Sequence, residues 1–169
     1  MNPGYFRICL SKEEAMRRLS VWVQRPELEP PIEVDSLRAI SLACDDHGRW
    51  RGSALFIYEN EGWTVFEDLS GHYSGIPAES WLAFAGRDEF VFVGYNDAIE
   101  YSELIVIQNG AVIREFPDYR QTPGKKDKGQ MPDESKFPIK SWVDVASMVD
   151  VGEIAYSEAG WLWLHKMPA

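Results

Sequence analysis

A chain of 169 residues, 45% hydrophobic and 26% charged, is long enough for one domain around one core and too apolar for wholesale disorder. Its net charge of −10 argues against a nucleic-acid-tracking surface, which needs a basic patch, and favours solubility and fast encounter with a basic partner. Two cysteines, Cys9 and Cys44, each in an apolar stretch, read as buried free thiols; no disulfide scaffold, metal site or cofactor is expected.

In chain order, residues 5–10 (YFRICL) read as a first strand. Ser11 then caps a helix, with Glu14 three residues on completing a capping box. The N-terminus meets charges before any long apolar run develops, so neither a signal peptide nor a membrane span is expected, and a cytoplasmic location is. Pro26, Pro30 and Pro31 end the helix and force an extended connector. Leu37 to Cys44 reads as a strand, followed by a polar turn at Asp45-Asp46-His47-Gly48. The run SALFIYENEGWTVFEDL is a hairpin; a turn at Asn60-Glu61 would set Tyr58 opposite Trp63 and Phe56 opposite Val65. A glycine-rich loop, SGHYSGIP, leads through Pro77 into a short helix with Trp81, Leu82 and Ala85 inward.

The apolar run Phe90 to Val93 fits a strand covered on both faces. After a polar island at 95–101 comes the strongest local signal, Asn109-Gly110, a type I′ turn between LIVIQ and AVIREF. It predicts Ile107 opposite Val112 and Val106 opposite Ile113, with the hairpin inside the sheet. Residues 117–138, rich in proline, glycine and charge, read as a surface loop within the single domain 1–169. Residues 120–140 hold six cations (Arg120, Lys125, Lys126, Lys128, Lys136, Lys140) against three anions (Asp127, Asp133, Glu134), +3 net, which leaves −13 on the rest. Ser141 with Asp144 starts a last helix, and the chain closes in two short strands around a turn at Glu158-Ala159-Gly160. The fold class predicted is α+β: an antiparallel or mixed sheet of about six to eight strands with about three short helices on it.

No residue pattern points to catalysis. His47 lies in a turn beside Gly48, His72 has no carboxylate orienter at a recognisable spacing, and the loop serines lack a G-x-S-x-G elbow. Phosphate-loop, dinucleotide and H-E-x-x-H motifs are absent from the sequence. Acidic pairs such as Asp97/Glu100 are available to a hydrolase, but 27 acidic residues produce pairs without purpose. What remains is acidity interleaved with aromatics. Glu59, Glu61, Trp63, Glu67 and Asp68 lie on the first hairpin; Tyr95, Asp97, Glu100, Tyr101 and Glu103 lie around the polar island. These ten are the candidate contacts for a basic protein partner.

The stretch Glu61 to Gly71, then Tyr95-Asn96-Asp97, Asn109-Gly110, Arg114-Glu115-Phe116, Ser141-Trp142 and Gly160-Trp161-Leu162-Trp163 carry a resemblance. In style and spacing, over roughly residues 53–165, the chain resembles the small acidic immunity proteins of bacterial polymorphic toxin systems, deployed with contact-dependent or type VI secretion. The resemblance implies a non-enzymatic protein that binds a cognate toxin and blocks its active site, with a basic toxin the natural match to the charge. It transfers no specific contact residue. A small hydrolase on Asp97/Glu100 and a non-catalytic adaptor or scaffold stay open as alternatives, and oligomeric state is not readable from the sequence.

Overall fold

The computed structural model describes residues 4–24, 30–119, 127–150 and 159–165, without the side chains of 97, 118–119 and 148–150. Its frame is a nine-stranded sheet in the order β2-β9-β3-β4-β1-β5-β6-β7-β8. The strands are β1 (Gly4–Ile8), β2 (Ile32–Asp35), β3 (Ser53–Asn60), β4 (Trp63–Asp68), β5 (Phe90–Asn96), β6 (Tyr101–Gln108), β7 (Ala111–Tyr119), β8 (Lys128–Gly129) and β9 (Ala159–His165). Every pairing is antiparallel. Four helices, α1 (Lys12–Trp22), α2 (Ser36–Ala43), α3 (Ala78–Ala85) and α4 (Trp142–Asp150), cover it. The α+β class stands, with one more strand and one more helix than the upper expectation.

Strand alternation divides the core into two. One face turns Phe6, Phe66, Phe90 and Phe92 toward Leu19 of α1 and Trp81 of α3. The other turns Tyr5, Phe56, Val65 and Val93 toward Ala39 and Ala43 of α2 and Val145 of α4. Burial on both sides explains why the central strands read as continuous apolar runs rather than alternating ones.

Helix α2 replaces the strand expected at Leu37 to Cys44. Asp35 caps it, accepting the Arg38 N–H at 2.8 Å, and the small residues Ala39 and Ala43, one turn apart, are fully buried while Leu37 is 79% exposed. Its inward stripe is alanine, and its conspicuous hydrophobes are not the ones it buries. The first hairpin also turns one residue later than expected, on Glu61-Gly62 with φ of 47° and 84°. Positive φ at both positions defines the type I′ turn, and glycine takes the second without strain. Tyr58 therefore faces Val65, and Phe56 faces Glu67. In α3, Phe84 is buried in place of Leu82.

Asn109-Gly110 forms its turn, with φ of 51° and 77°, and Ile107 pairs with Val112 as predicted. A bulge then makes Ile113 the extra residue, so Arg114, not Ile113, stands opposite Val106. That shift drives a cation inward. Arg114 is 2% exposed and donates from Nε and Nη2 to the two oxygens of Glu134, at 2.8 and 2.7 Å. Nη1 bonds the Asp127 carboxylate and, at 3.1 Å, the Lys128 carbonyl. Burial pulls the guanidinium down, but its bonds to Glu134 and Asp127 outweigh that and hold it above its ordinary value. Part of the expected surface loop, residues 127–137, is thus fastened to β7. Gly129, at φ 73°, belongs to the same fastening: a Cβ there would overlap the Ile113 carbonyl oxygen.

Ala159 and Gly160 belong to strand β9, not to a turn, because β9 fills the space between β2 and β3, and the strand expected before them lies outside the described residues. Cys9 is exposed and Cys44 half-buried, so neither is the buried thiol its apolar neighbours suggested.

Candidate docking surface

The sheet separates the ten candidate contacts. Glu59, Glu61 and Trp63 sit at the β3–β4 turn, whereas Asp68, Tyr95, Glu100, Tyr101 and Glu103 sit at the opposite end, where β4 stops and β6 begins. Along β4 alone that is a separation of about 17 Å. Asp97 lies in the 3-10 turn Asp97–Ile99 of the same far end; its side chain is outside the described residues.

At the far end Asp68 and Glu103 hold up the fold. Asp68 Oδ1 accepts the Gly71 N–H and Oδ2 the Tyr73 N–H, both at 2.8 Å. Both oxygens of the buried Glu103 accept the Gly75 N–H, at 3.1 and 2.9 Å. The two side chains fix the 70–76 loop over a floor that includes Gly94, where a Cβ would meet Ser74 Oγ at 3.8 Å. Burial pushes the Asp68 carboxyl above its ordinary value, against the pull of those hydrogen bonds. Tyr101 is buried, and Tyr95 and Glu100 are half-buried. Glu100 takes the left-handed φ of 50°, and the Asn96 side chain accepts the Ala98 N–H at 3.0 Å, so the polar island is a tight connector.

A serine, a histidine and a carboxylate do meet here, in an order unsuited to nucleophilic catalysis. Ser70 Oγ lies 2.8 Å from His72 Nδ1 and 3.2 Å from Asp68 Oδ1, and accepts the Ala54 N–H at 3.0 Å. A serine is activated when an imidazole takes its proton and a carboxylate orients that imidazole. Here the carboxylate holds the serine itself, and the serine's lone pair is engaged by backbone. With Ser70 donating to Asp68, His72 Nδ1 is left as a donor, and all three capacities of the hydroxyl are used in fastening the loop. Asp45-Asp46-His47 is likewise a turn, with the His47 and Arg49 N–H groups on Asp45 Oδ1. Among the described residues no group of three or more His, Cys, Asp or Glu is placed to hold a metal ion.

The first hairpin is different. Glu59 is exposed and accepts only the Lys12 N–H, at 3.3 Å; Glu61 is exposed with no ion pair among the described residues. The Lys12 ammonium lies 3.4 Å from the centre of the Trp161 ring, and the Arg7 guanidinium lies 4.5 Å above Trp63. Among the described residues these two cations thus lie over aromatic faces, Lys12 also 3.5 Å from the Glu13 carboxylate, and neither pairs with the exposed Glu59 or Glu61 side chain. Beyond Trp63 on the same face come Val65 and then Glu67, which stands between Phe56 of β3 and Tyr5 of β1. Helix α2 packs on β2, β9 and β3, and α4 on β5 and β6, so Glu67 lies on the strands between them. Glu67 is half-buried, and burial pushes its carboxyl above its ordinary value with no donor or cation to oppose it.

The folded chain holds a proton on Glu67 more readily than the unfolded chain, so Glu67 erodes stability as pH rises from 4.5, the ordinary glutamate value, through its raised one. Glu67→Gln is expected to be more stable than the parent at neutral pH, the advantage shrinking to nothing below pH 4.5. Urea unfolding across that range checks it; a Gln variant less stable at neutral pH would show that the carboxylate is supported.

No family model, curated protein or solved structure matches the chain. Among the described residues no helix is long and apolar enough to cross a membrane.

Proposed function

We propose that the chain is a binding protein that neutralises a basic toxin domain by covering its active site, in the manner of the small acidic immunity proteins it resembles. The β3–β4 hairpin is the docking element. One observation carries this reading: Glu59 and Glu61 at the hairpin tip are exposed and in no ion pair among the described residues while Lys12 and Arg7 lie over tryptophans, whereas Asp68 and Glu103 at the far end are consumed by the fold. Exposed charge of one sign speeds encounter with an oppositely charged partner, and the partner's own bulk then does the blocking.

The test is co-expression with the products of the adjacent genes. Rescue of growth from one of those toxins, through a one-to-one complex without turnover, is the expected result; failure to rescue from any of them sinks the reading. Within such a complex, Glu59→Lys with Glu61→Lys is expected to slow association about tenfold at low ionic strength, to flatten its salt dependence, and to leave dissociation nearly unchanged. Stopped-flow kinetics at two salt concentrations measures all three. Unchanged association would move the docking face elsewhere.

A further inference from the structure

Glu67 is at odds with its surroundings. A charge taken out of water is ordinarily paired or ligated, because desolvation without compensation is costly. Glu67 is on β4, in the interior of a nine-stranded sheet, with the buried aromatics Phe56 and Tyr5 as its cross-strand neighbours and buried Val65 two residues along. Its carboxylate makes no hydrogen bond or ion pair among the described residues, the Leu69 N–H at 3.1 Å going to its backbone carbonyl. The flanking helices offer no remedy: the one cation of α2, Arg38, is exposed, and the α4 sequence has no lysine or arginine. A cation does stand one residue pair away. Arg7 is opposite Val65 on the same face, yet its guanidinium lies over Trp63, on the side of Val65 away from Glu67.

We infer that Glu67 is the receptor for a guanidinium that the partner supplies, an anchor set behind the steering charges of Glu59 and Glu61. The inference rests on the docking reading above and names the chemistry of its central contact. Trp63, Val65 and Glu67 share one face of β4, so a surface lowered onto the hairpin tip passes Trp63 and reaches Glu67 within about 14 Å, well inside the footprint of an ordinary protein interface. Arginine suits the position better than lysine. Its planar fork meets both carboxylate oxygens, and its weaker hydration makes it cheaper to bring onto a half-buried apolar floor. The carboxylate destabilises the free chain and is relieved in the complex, so stability and affinity pull in opposite directions at this residue.

Two measurements decide it, the first needing no toxin. The side-chain carboxyl carbon of Glu67 is followed by NMR while N-acetyl-arginine amide is added to the wild-type chain. A shift that saturates in the range of tens of millimolar, as expected for a single charged contact, and that N-acetyl-citrulline amide does not reproduce supports the site. A Glu67 resonance that stays still, or that moves equally with the neutral analogue, overturns it. The second measurement uses the toxin that the chain neutralises. Glu67→Gln is expected to weaken that complex at least tenfold, through faster dissociation, while raising the variant's own unfolding midpoint at neutral pH. A variant that binds as tightly as the parent overturns the anchor, and one that loses midpoint and affinity together assigns Glu67 a structural role instead. If no neighbouring toxin binds even the wild-type chain, the docking reading has failed, and the arginine titration alone decides whether Glu67 receives a cation.

Discussion

Glu134→Ala is expected to cost the fold about 3 kcal/mol and to lower its melting temperature by about 10 °C. Arg114 and Glu134 are 2% and 6% exposed, and the pair is bidentate. Removing one member of a buried pair leaves the other as an uncompensated charge, typically at about 3–5 kcal/mol. The lower end applies because the Asp127 carboxylate and the Lys128 carbonyl stay on the guanidinium. Replacing both members by apolar residues, Arg114→Met with Glu134→Leu, is expected to recover most of the loss, because the one carboxylate then left without its guanidinium, Asp127, is half-exposed and stays solvated. Urea unfolding of the single and double variants measures the difference. Equal losses in the two would show that the 127–137 segment needs the bonds themselves and not merely neutrality. Binding of the proposed toxin partner well below the melting temperature is expected to be untouched. In the strand order β7 stands four places from β4, about 19 Å across the sheet.

The same fastening shows what one sequence conceals. Ser11 as a cap, Asn109-Gly110 as a turn, Pro77 ahead of α3 and β5 as a doubly covered strand were all legible, because each is decided by residues within a few positions. The Ser11 hydroxyl indeed accepts the Glu14 N–H, at 3.4 Å. The bulge that turns Arg114 inward was not legible, since nothing in AVIREF separates a regular register from one with an extra residue. Glu134, 20 positions further in a charge-rich segment, looked like surface because its partner was not yet known to be buried. Helix α2 was lost to a period ambiguity. Eight residues with hydrophobes at positions 37, 40 and 42 satisfy neither template, and the decisive pair, Ala39 and Ala43, is too small to stand out.

The candidate site divides along the same line. Chemically, Asp68 and Glu103 are no different from Glu59 and Glu61; what distinguishes them is whether a loop brings backbone N–H groups to the carboxylate. For Asp68 a local clue existed, since Ser70-Gly71 just beyond it is the composition of a side-chain-closed turn. For Glu103 there was none: the N–H it binds belongs to Gly75, 28 residues earlier. The lone position of Glu67 also lay beyond reach, because it depends on Arg7 turning toward Trp63.

Trp81→Ala is expected to be the more damaging of two substitutions at the centre of the other core, at about 4 kcal/mol, while Trp81→Phe stays within about 1 kcal/mol of the parent. Trp81 is fully buried and packs its ring 5.0 Å from Trp22, 5.0 Å from Phe90, 5.2 Å from Phe92 and 5.0 Å from Phe6. Alanine removes all of these contacts and leaves a cavity that rings on several elements cannot close. Phenylalanine keeps most of the stacking and also removes a liability: Trp81 Nε1–H is buried and meets no acceptor among the described residues. Deleting an unsatisfied buried donor returns about 1–3 kcal/mol against the smaller ring's lost contacts. Equilibrium unfolding of the two variants gives the order. A Phe variant as damaged as the Ala variant would mean that the indole N–H is satisfied after all. The same pair tests where function lies. In the sequence, 22 aromatic residues could have furnished either a core or an interface, and Phe6, Phe66, Trp81, Phe84, Phe90 and Phe92 are spent on the α1/α3 core. Docking from the β3–β4 tip across the opposite face draws nothing from that cluster. Trp81→Ala should therefore lose stability and keep its affinity for the proposed toxin partner at temperatures where it remains folded; a matching loss of affinity would place the docking surface on the α1/α3 face instead.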